Sequence, residues 1–144
     1  MKKNNTNFQC VVIGAGVIGL AIAKKLAEKI DVLVLEKNKR FGQETSSRNS
    51  GVIHAGIYYP KNSLKAILSR KGNSKIYSYA RERGINFNQC GKYIVANNPS
   101  EERILLKIKK NASKNGIFLE YKNSKVLKKI EPNLKCYSAL YSKS

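Results

Sequence analysis

Two periods of apolar and polar residues succeed one another over the first 36 positions. Residues 8–13 are a short apolar, β-branched run, the composition of a strand buried on both faces of a parallel sheet. Residues 17–30 switch to a helical period: Ile18, Ile22, Leu26 and Ile30 recur four apart, while Lys24, Lys25, Glu28 and Lys29 take the other side. This predicts an amphipathic helix with its isoleucines facing a sheet. Residues 32–35 form a second buried-strand run, so the segment predicts a βαβ unit.

Beyond it the pattern is less regular. Residues 37–50 are polar and rich in Ser, Thr and Asn, which predicts a loop. Residues 64–83 predict a long helix, weakened midway by Gly72 and closed by Gly84. Residues 85–87 and 93–96 read as strands. Ser100 is the expected N-cap of a helix running to Asn115, with Ile104, Leu105, Ile108 and Ala112 inward and Gly116 at its end. Residues 126–130 predict a further helical turn closed by Pro132, and residues 137–141 a strand. There is no internal repeat or low-complexity linker. The expected fold class is α/β, α+β overall, opening with a Rossmann-like dinucleotide unit.

The chemistry of that unit lies in Gly14-Ala15-Gly16-Val17-Ile18-Gly19, placed between the first strand and the helix. Gly14 permits the tight turn, Gly16 lets a pyrophosphate approach bare backbone, and Gly19 lets helix and strand pack closely. The helix N-terminus adds unpaired N–H groups and partial positive charge. Glu36 ends the second strand about 20 residues past the central glycine, the separation expected of a ribose-binding acid. It would repel a 2′-phosphate, so FAD or NAD is favoured over NADP.

Charge widens the possibilities only slightly. With 28 Lys and Arg against 9 Asp and Glu the chain carries +19, which could suggest nucleic acid or an anionic membrane. The basic residues are mostly lysines spread along the chain, without an arginine-rich run or RNA-binding aromatic motif. No specific nucleic-acid partner is expected; a solvated surface is, with some excess charge attracting acidic substrates. Cys10, Cys90 and Cys136 are odd in number and lack metal-ligand or CxxC spacing, so free thiols and no metal are expected. Lys2, Lys3 and the apolar stretch 10–23 imitate a signal peptide, but three glycines weaken that reading and the stretch is too short to span a membrane. A soluble cytoplasmic protein is expected, attached at most to the inner face of a membrane.

Thr45-Ser46-Ser47-Arg48-Asn49-Ser50-Gly51, followed by His54-Ala55-Gly56 and Tyr58-Tyr59, resembles the FAD-dependent oxidoreductases of the D-amino-acid oxidase and glycerol-3-phosphate dehydrogenase superfamily. Within it the likeness is greatest to the L-2-hydroxyglutarate oxidases and dehydrogenases. Cys90-Gly91-Lys92 and Ile130-Glu131-Pro132-Asn133 extend the likeness over nearly the whole chain. The resemblance implies FAD as cofactor, with the segment matching Thr45, Ser46, Ser47, Arg48, Asn49, Ser50 and Gly51 wrapping the pyrophosphate and reaching toward the flavin. Hydroxyls, amides and a guanidinium suit that task, although the same composition also suits a plain surface loop. It further implies residues 8–56 as βαβ unit and cofactor loop, and 57–144 as inserted elements beginning the substrate region. Members of that group continue well beyond 144 residues, so the chain resembles an N-terminal fragment, with a two-stranded sheet short of neighbours and a weak hold on FAD.

The implied reaction is oxidation of a 2-hydroxy acid, L-2-hydroxyglutarate to 2-oxoglutarate, with oxygen or a quinone accepting the electrons. Amine or glycerol-3-phosphate oxidation, and an inactive dinucleotide-binding fragment, are the alternatives. His54, the only histidine, is the candidate base or substrate-orienting group; a buried structural histidine is the competing reading. Tyr58 and Tyr59 could wall a flavin or simply pack, Lys92 could attract an acidic substrate or be solvated, and Lys37 could touch the adenosine region or be surface charge.

Overall fold

The computed structural model describes residues 7–143; Lys2, Lys3 and Ser144 lie outside them. The chain divides between Val52 and Ile53 into two compact units.

In the first unit, strand β1 (Cys10–Ile13) and strand β2 (Val32–Leu35) pair in parallel, Cys10 opposite Val32 and Ile13 opposite Leu35. Helix α1 (Val17–Leu26) crosses between them. Its sheet-facing side is centred on Gly19, Ala23 and Leu26, so that of the predicted stripe Leu26 is turned inward while Ile18 and Ile22 give way to the smaller Gly19 and Ala23, which let the helix lie closer to the strands. Ala23 is buried, whereas Ile18 is 73% exposed. The expectation of an inward isoleucine face is corrected accordingly. The helix also stops at Leu26 rather than Ile30: Lys29 and Ile30 N–H both turn back to the Leu26 carbonyl, which starts the descent into β2. Nor is β1 buried on both faces. Cys10 and Val12 are half-buried toward α1, while Ile13 is 87% exposed on the other side.

The second unit is α+β. Helix α2 (Leu64–Glu82) starts at Ser63, whose hydroxyl accepts from Ala66 N–H at 3.2 Å. Helix α3 (Pro99–Lys114) starts at Asn98, not Ser100: the Asn98 carboxamide accepts from Glu101 N–H at 3.0 Å, and Pro99 occupies the first turn. Ser100 lies two residues past the cap, already inside the first turn. Helix α4 (Ser124–Ile130) is capped the same way by Asn123.

The antiparallel sheet has the order β3 (Lys92–Ala96), β5 (Ser138–Ser142), β4 (Glu120–Asn123). Leu140 on the central strand faces Ile94 on one side and Tyr121 on the other. Leu140 joins Ala55, Ile57, Ala96, Leu105, Ala112 and Leu119 in the core, with Ile108 packed against it. Ile104, expected inward, is 56% exposed because the buried face of α3 is narrower than an apolar count suggests. β4 was not expected: Glu-Tyr-Lys-Asn has weak strand character, and pairing with β5 imposes it. Residues 85–87 conversely have no strand partner, and Phe87 instead sets its ring 5.3 Å from that of Tyr77, edge-on.

Candidate cofactor site

The glycine turn joins β1 to α1 in the conformation its sequence requires. Gly14 lies at φ +101°, and its N–H donates to the Leu35 carbonyl at 2.7 Å, tying the turn to the end of β2. A Cβ on Gly19 would overlap the Gly14 carbonyl oxygen, so the first turn of α1 can lie against the loop only with glycine there. Gly16 is the N-cap of α1 and makes no side-chain capping bond. The N–H groups of that first turn lack intrahelical acceptors and, with the helix dipole, form an anion seat.

Glu36 closes the seat from the side. Its Oε2 accepts from Ala15 N–H at 2.8 Å and its Oε1 from Asn38 N–H at 2.9 Å. These bonds, that from Asn38 foremost, hold the carboxyl below the ordinary glutamate value of 4.5. A carboxylate has about four acceptor sites in all, and those not used by the loop are what a ribose hydroxyl would take. A cavity of about 280 Å³ opens here, lined by Gly14, Gly16, Glu36, Lys37, Gly42 and Glu44 among others. Lys37 Nζ is 3.1 Å from Glu44 Oε1, and Asn38 Nδ2 donates to the same oxygen at 3.2 Å. Asn38 and Lys37 together lower the Glu44 carboxyl as well. Gly42, at φ +70°, sends its N–H to the Ala15 carbonyl at 2.9 Å.

Asn38, Gly42 and Glu44 are the residues that sequence reasoning missed. The available signals were a lone glycine in a polar stretch and an acid eight positions after Glu36.

Of the expected loop contacts, Ser46 is the one brought to the turn. Its Oγ accepts from Val17 N–H at 2.9 Å, so a hydroxyl oxygen stands at the helix N-terminus where a phosphate oxygen would bind. Thr45 and Ser47 form a single 3₁₀ turn with it. The Ser47 hydroxyl is spent on the Gln43 and Glu44 carbonyls, and Asn49 bonds Ser46 O and Gly51 N–H. Arg48, Ser50 and Gly51 are exposed, as are the Val17 and Ile18 side chains.

In the second unit His54 is exposed, and its carbonyl accepts from Asn73 Nδ2 at 3.4 Å. The Tyr59 carbonyl accepts from both Asn111 and Asn115, and Lys92 Nζ lies 5.4 Å from the Tyr58 ring centre. Both tyrosines thus have partners within the unit.

A profile described as FAD dependent oxidoreductase matches residues 9–144. The chain belongs to the FAD-dependent oxidoreductase family. It is 43% identical over 134 residues to an L-2-hydroxyglutarate dehydrogenase, mitochondrial, of Arabidopsis thaliana, covering 92% of the chain and 28% of that protein. It is 34% identical over 130 residues to the L-2-hydroxyglutarate dehydrogenase of Escherichia coli K12, covering 88% of the chain and 31% of that protein. Among solved structures, the L-alpha-glycerophosphate oxidase of Mycoplasma pneumoniae with FAD bound superposes with a TM-score of 0.78 at 28% identity, over 94% of this chain and 37% of that one. The chain spans under a third of the curated relatives it matches here.

FAD, the cofactor of the family, fits the first unit. The bare backbone at Gly16, the first-turn N–H groups and the acid beside them are the donors and acceptor that a pyrophosphate and an adenosine ribose need.

Proposed function

We propose that the chain forms the cofactor-binding part of an FAD-dependent oxidase or dehydrogenase of 2-hydroxy acids, with L-2-hydroxyglutarate as substrate and 2-oxoglutarate as product. The observation that carries the substrate is the 43% identity to a relative of that name over 92% of the chain. The geometry of the glycine turn and of Glu36 supports the following site roles. Gly14, Ala15, Gly16, Val17, Ile18 and Gly19 line the pyrophosphate, with the backbone N–H groups of the first turn of α1 facing it. Glu36 takes the ribose hydroxyls and excludes a 2′-phosphate, and Lys37 lies at the adenosine end. Thr45, Ser46, Ser47, Arg48, Asn49, Ser50 and Gly51 form the covering loop, and the Ser46 hydroxyl can exchange Val17 N–H for a phosphate oxygen.

FAD supplies the hydride acceptor. His54 takes the hydroxyl proton, or orients that hydroxyl, and its exposed imidazole is free to do so. A small acidic substrate suits the cationic surface, and oxygen or a quinone completes the cycle. No helix among the described residues is long and apolar enough to cross a membrane.

The test is anaerobic stopped flow of the FAD-loaded protein with L-2-hydroxyglutarate, glycerol 3-phosphate and glycine compared. Reduction by the first alone supports the assignment; reduction by either of the others in its place overturns it. His54→Asn should leave FAD bound and slow reduction per bound flavin by about 10²–10⁴-fold. A rate within about threefold of the parent, under 1 kcal/mol in the barrier, would remove His54 from the mechanism.

A further inference from the structure

A second cavity, of about 370 Å³, lies in the second unit between the first turns of α2 and the last turn of α3. Its walls carry three cations, Arg70, Lys71 and Lys114, and no carboxylate. None of the three takes part in an ion pair among the described residues. The remaining polar groups include Asn62 and Ser113, and the Ser113 hydroxyl is already committed to the Lys110 carbonyl.

Arg70 is held in place rather than merely exposed. Its Nη1 donates to the Asn115 carbonyl at 3.0 Å, at the C-terminal end of α3 where a cation is favoured. Its guanidinium lies against Gly116, at φ +71°, where a Cβ would collide with Nη1. Glycine at 116 therefore both ends the helix and admits the guanidinium. With one nitrogen fixed, the rest of the rigid fork is left to grip an oxyanion in two-point fashion, with little entropy still to lose. Three like charges around one cavity repel each other, and an anion placed among them relieves that repulsion.

We propose that this cavity is an oxyanion-binding site, taking a phosphate-class group through Arg70, Lys71 and Lys114. The phosphate could belong to a soluble ion or to a lipid headgroup; the recognition chemistry is the same.

The experiment titrates inorganic phosphate into the chain by calorimetry against a chloride background of equal ionic strength. Saturable binding should weaken about tenfold in Arg70→Gln. Because that change also removes the bond to Asn115, the double variant Lys71→Gln, Lys114→Gln serves as a second probe that leaves Arg70 anchored, and it too should weaken binding. The control Lys128→Gln, Lys129→Gln removes two charges from α4, outside the cavity. Equal loss in the control and the cavity variants, or no saturation at millimolar phosphate, would overturn the site in favour of diffuse charge. Flotation with phosphatidylcholine vesicles, with and without phosphatidylglycerol, then assigns the source. Vesicle binding that the cavity variants lose and the control keeps identifies a headgroup, and phosphate binding without it identifies a soluble anion.

Discussion

Gly16 and Gly19 act differently within one turn, and substitution should separate them. A Cβ at Gly19 would overlap the Gly14 carbonyl, so Gly19→Ala should cost stability, about 1–3 kcal/mol by the usual scale of overpacking, read from urea unfolding. A Cβ at Gly16 would meet only Ser46 Oγ, at 3.1 Å. Gly16→Ala should therefore leave the unfolding curve nearly in place while displacing the Ser46 loop and weakening FAD. Glu36 adds a pH dependence of known sign. Its carboxyl is held below 4.5 by Asn38 and Ala15 N–H groups, so its stabilisation is complete above that value and disappears as pH falls through the lower folded value. Urea unfolding between about pH 5 and 3 should show that acid limb, and Glu36→Gln should flatten it. An unchanged limb in the variant would mean that the two backbone bonds contribute nothing measurable.

Among the elements, those whose sequence contains its own reason were legible and those imposed by neighbours were not. The βα turn could be read because three glycines, a helix start and a terminal acid each answer one local requirement. β4 could not, since Glu120 to Asn123 becomes a strand only by pairing with β5. The isoleucine stripe of α1 misled because a spacing of four fixes a stripe but not which neighbouring stripe the sheet accepts, and Ala23 fits more closely than Ile22. Likewise Ser100 and Asn98 are both capping residues, and only the position of Pro99 decides between them. Asn98→Ala should cost about 1 kcal/mol and Ser100→Ala almost nothing in thermal unfolding, and the reverse order would contradict the observed cap. Leu140, fully buried on the central strand, should cost about 2–5 kcal/mol on truncation to Ala, because its cavity lies between two flanking strands.

At the scale of the molecule, the candidate site was partly legible: its glycines and Glu36 follow from sequence, whereas Asn38, Gly42 and Glu44 reach it only through the path of the 37–51 loop. The net charge of +19 is carried by a dispersed surface, and nucleic-acid binding should accordingly be indiscriminate and fall steeply with salt. A sequence-selective complex that persists at physiological salt would contradict that. The central claim is that the glycine turn and Glu36 form an FAD site, and its most direct measurement is an equilibrium titration with FAD, followed by flavin fluorescence, in the parent chain and in Gly16→Val. The account predicts saturable binding in the parent, undiminished by NADP, and its loss in the variant, where a branched side chain fills the pyrophosphate's space. Equal binding by parent and variant, or displacement of FAD by NADP, would contradict it.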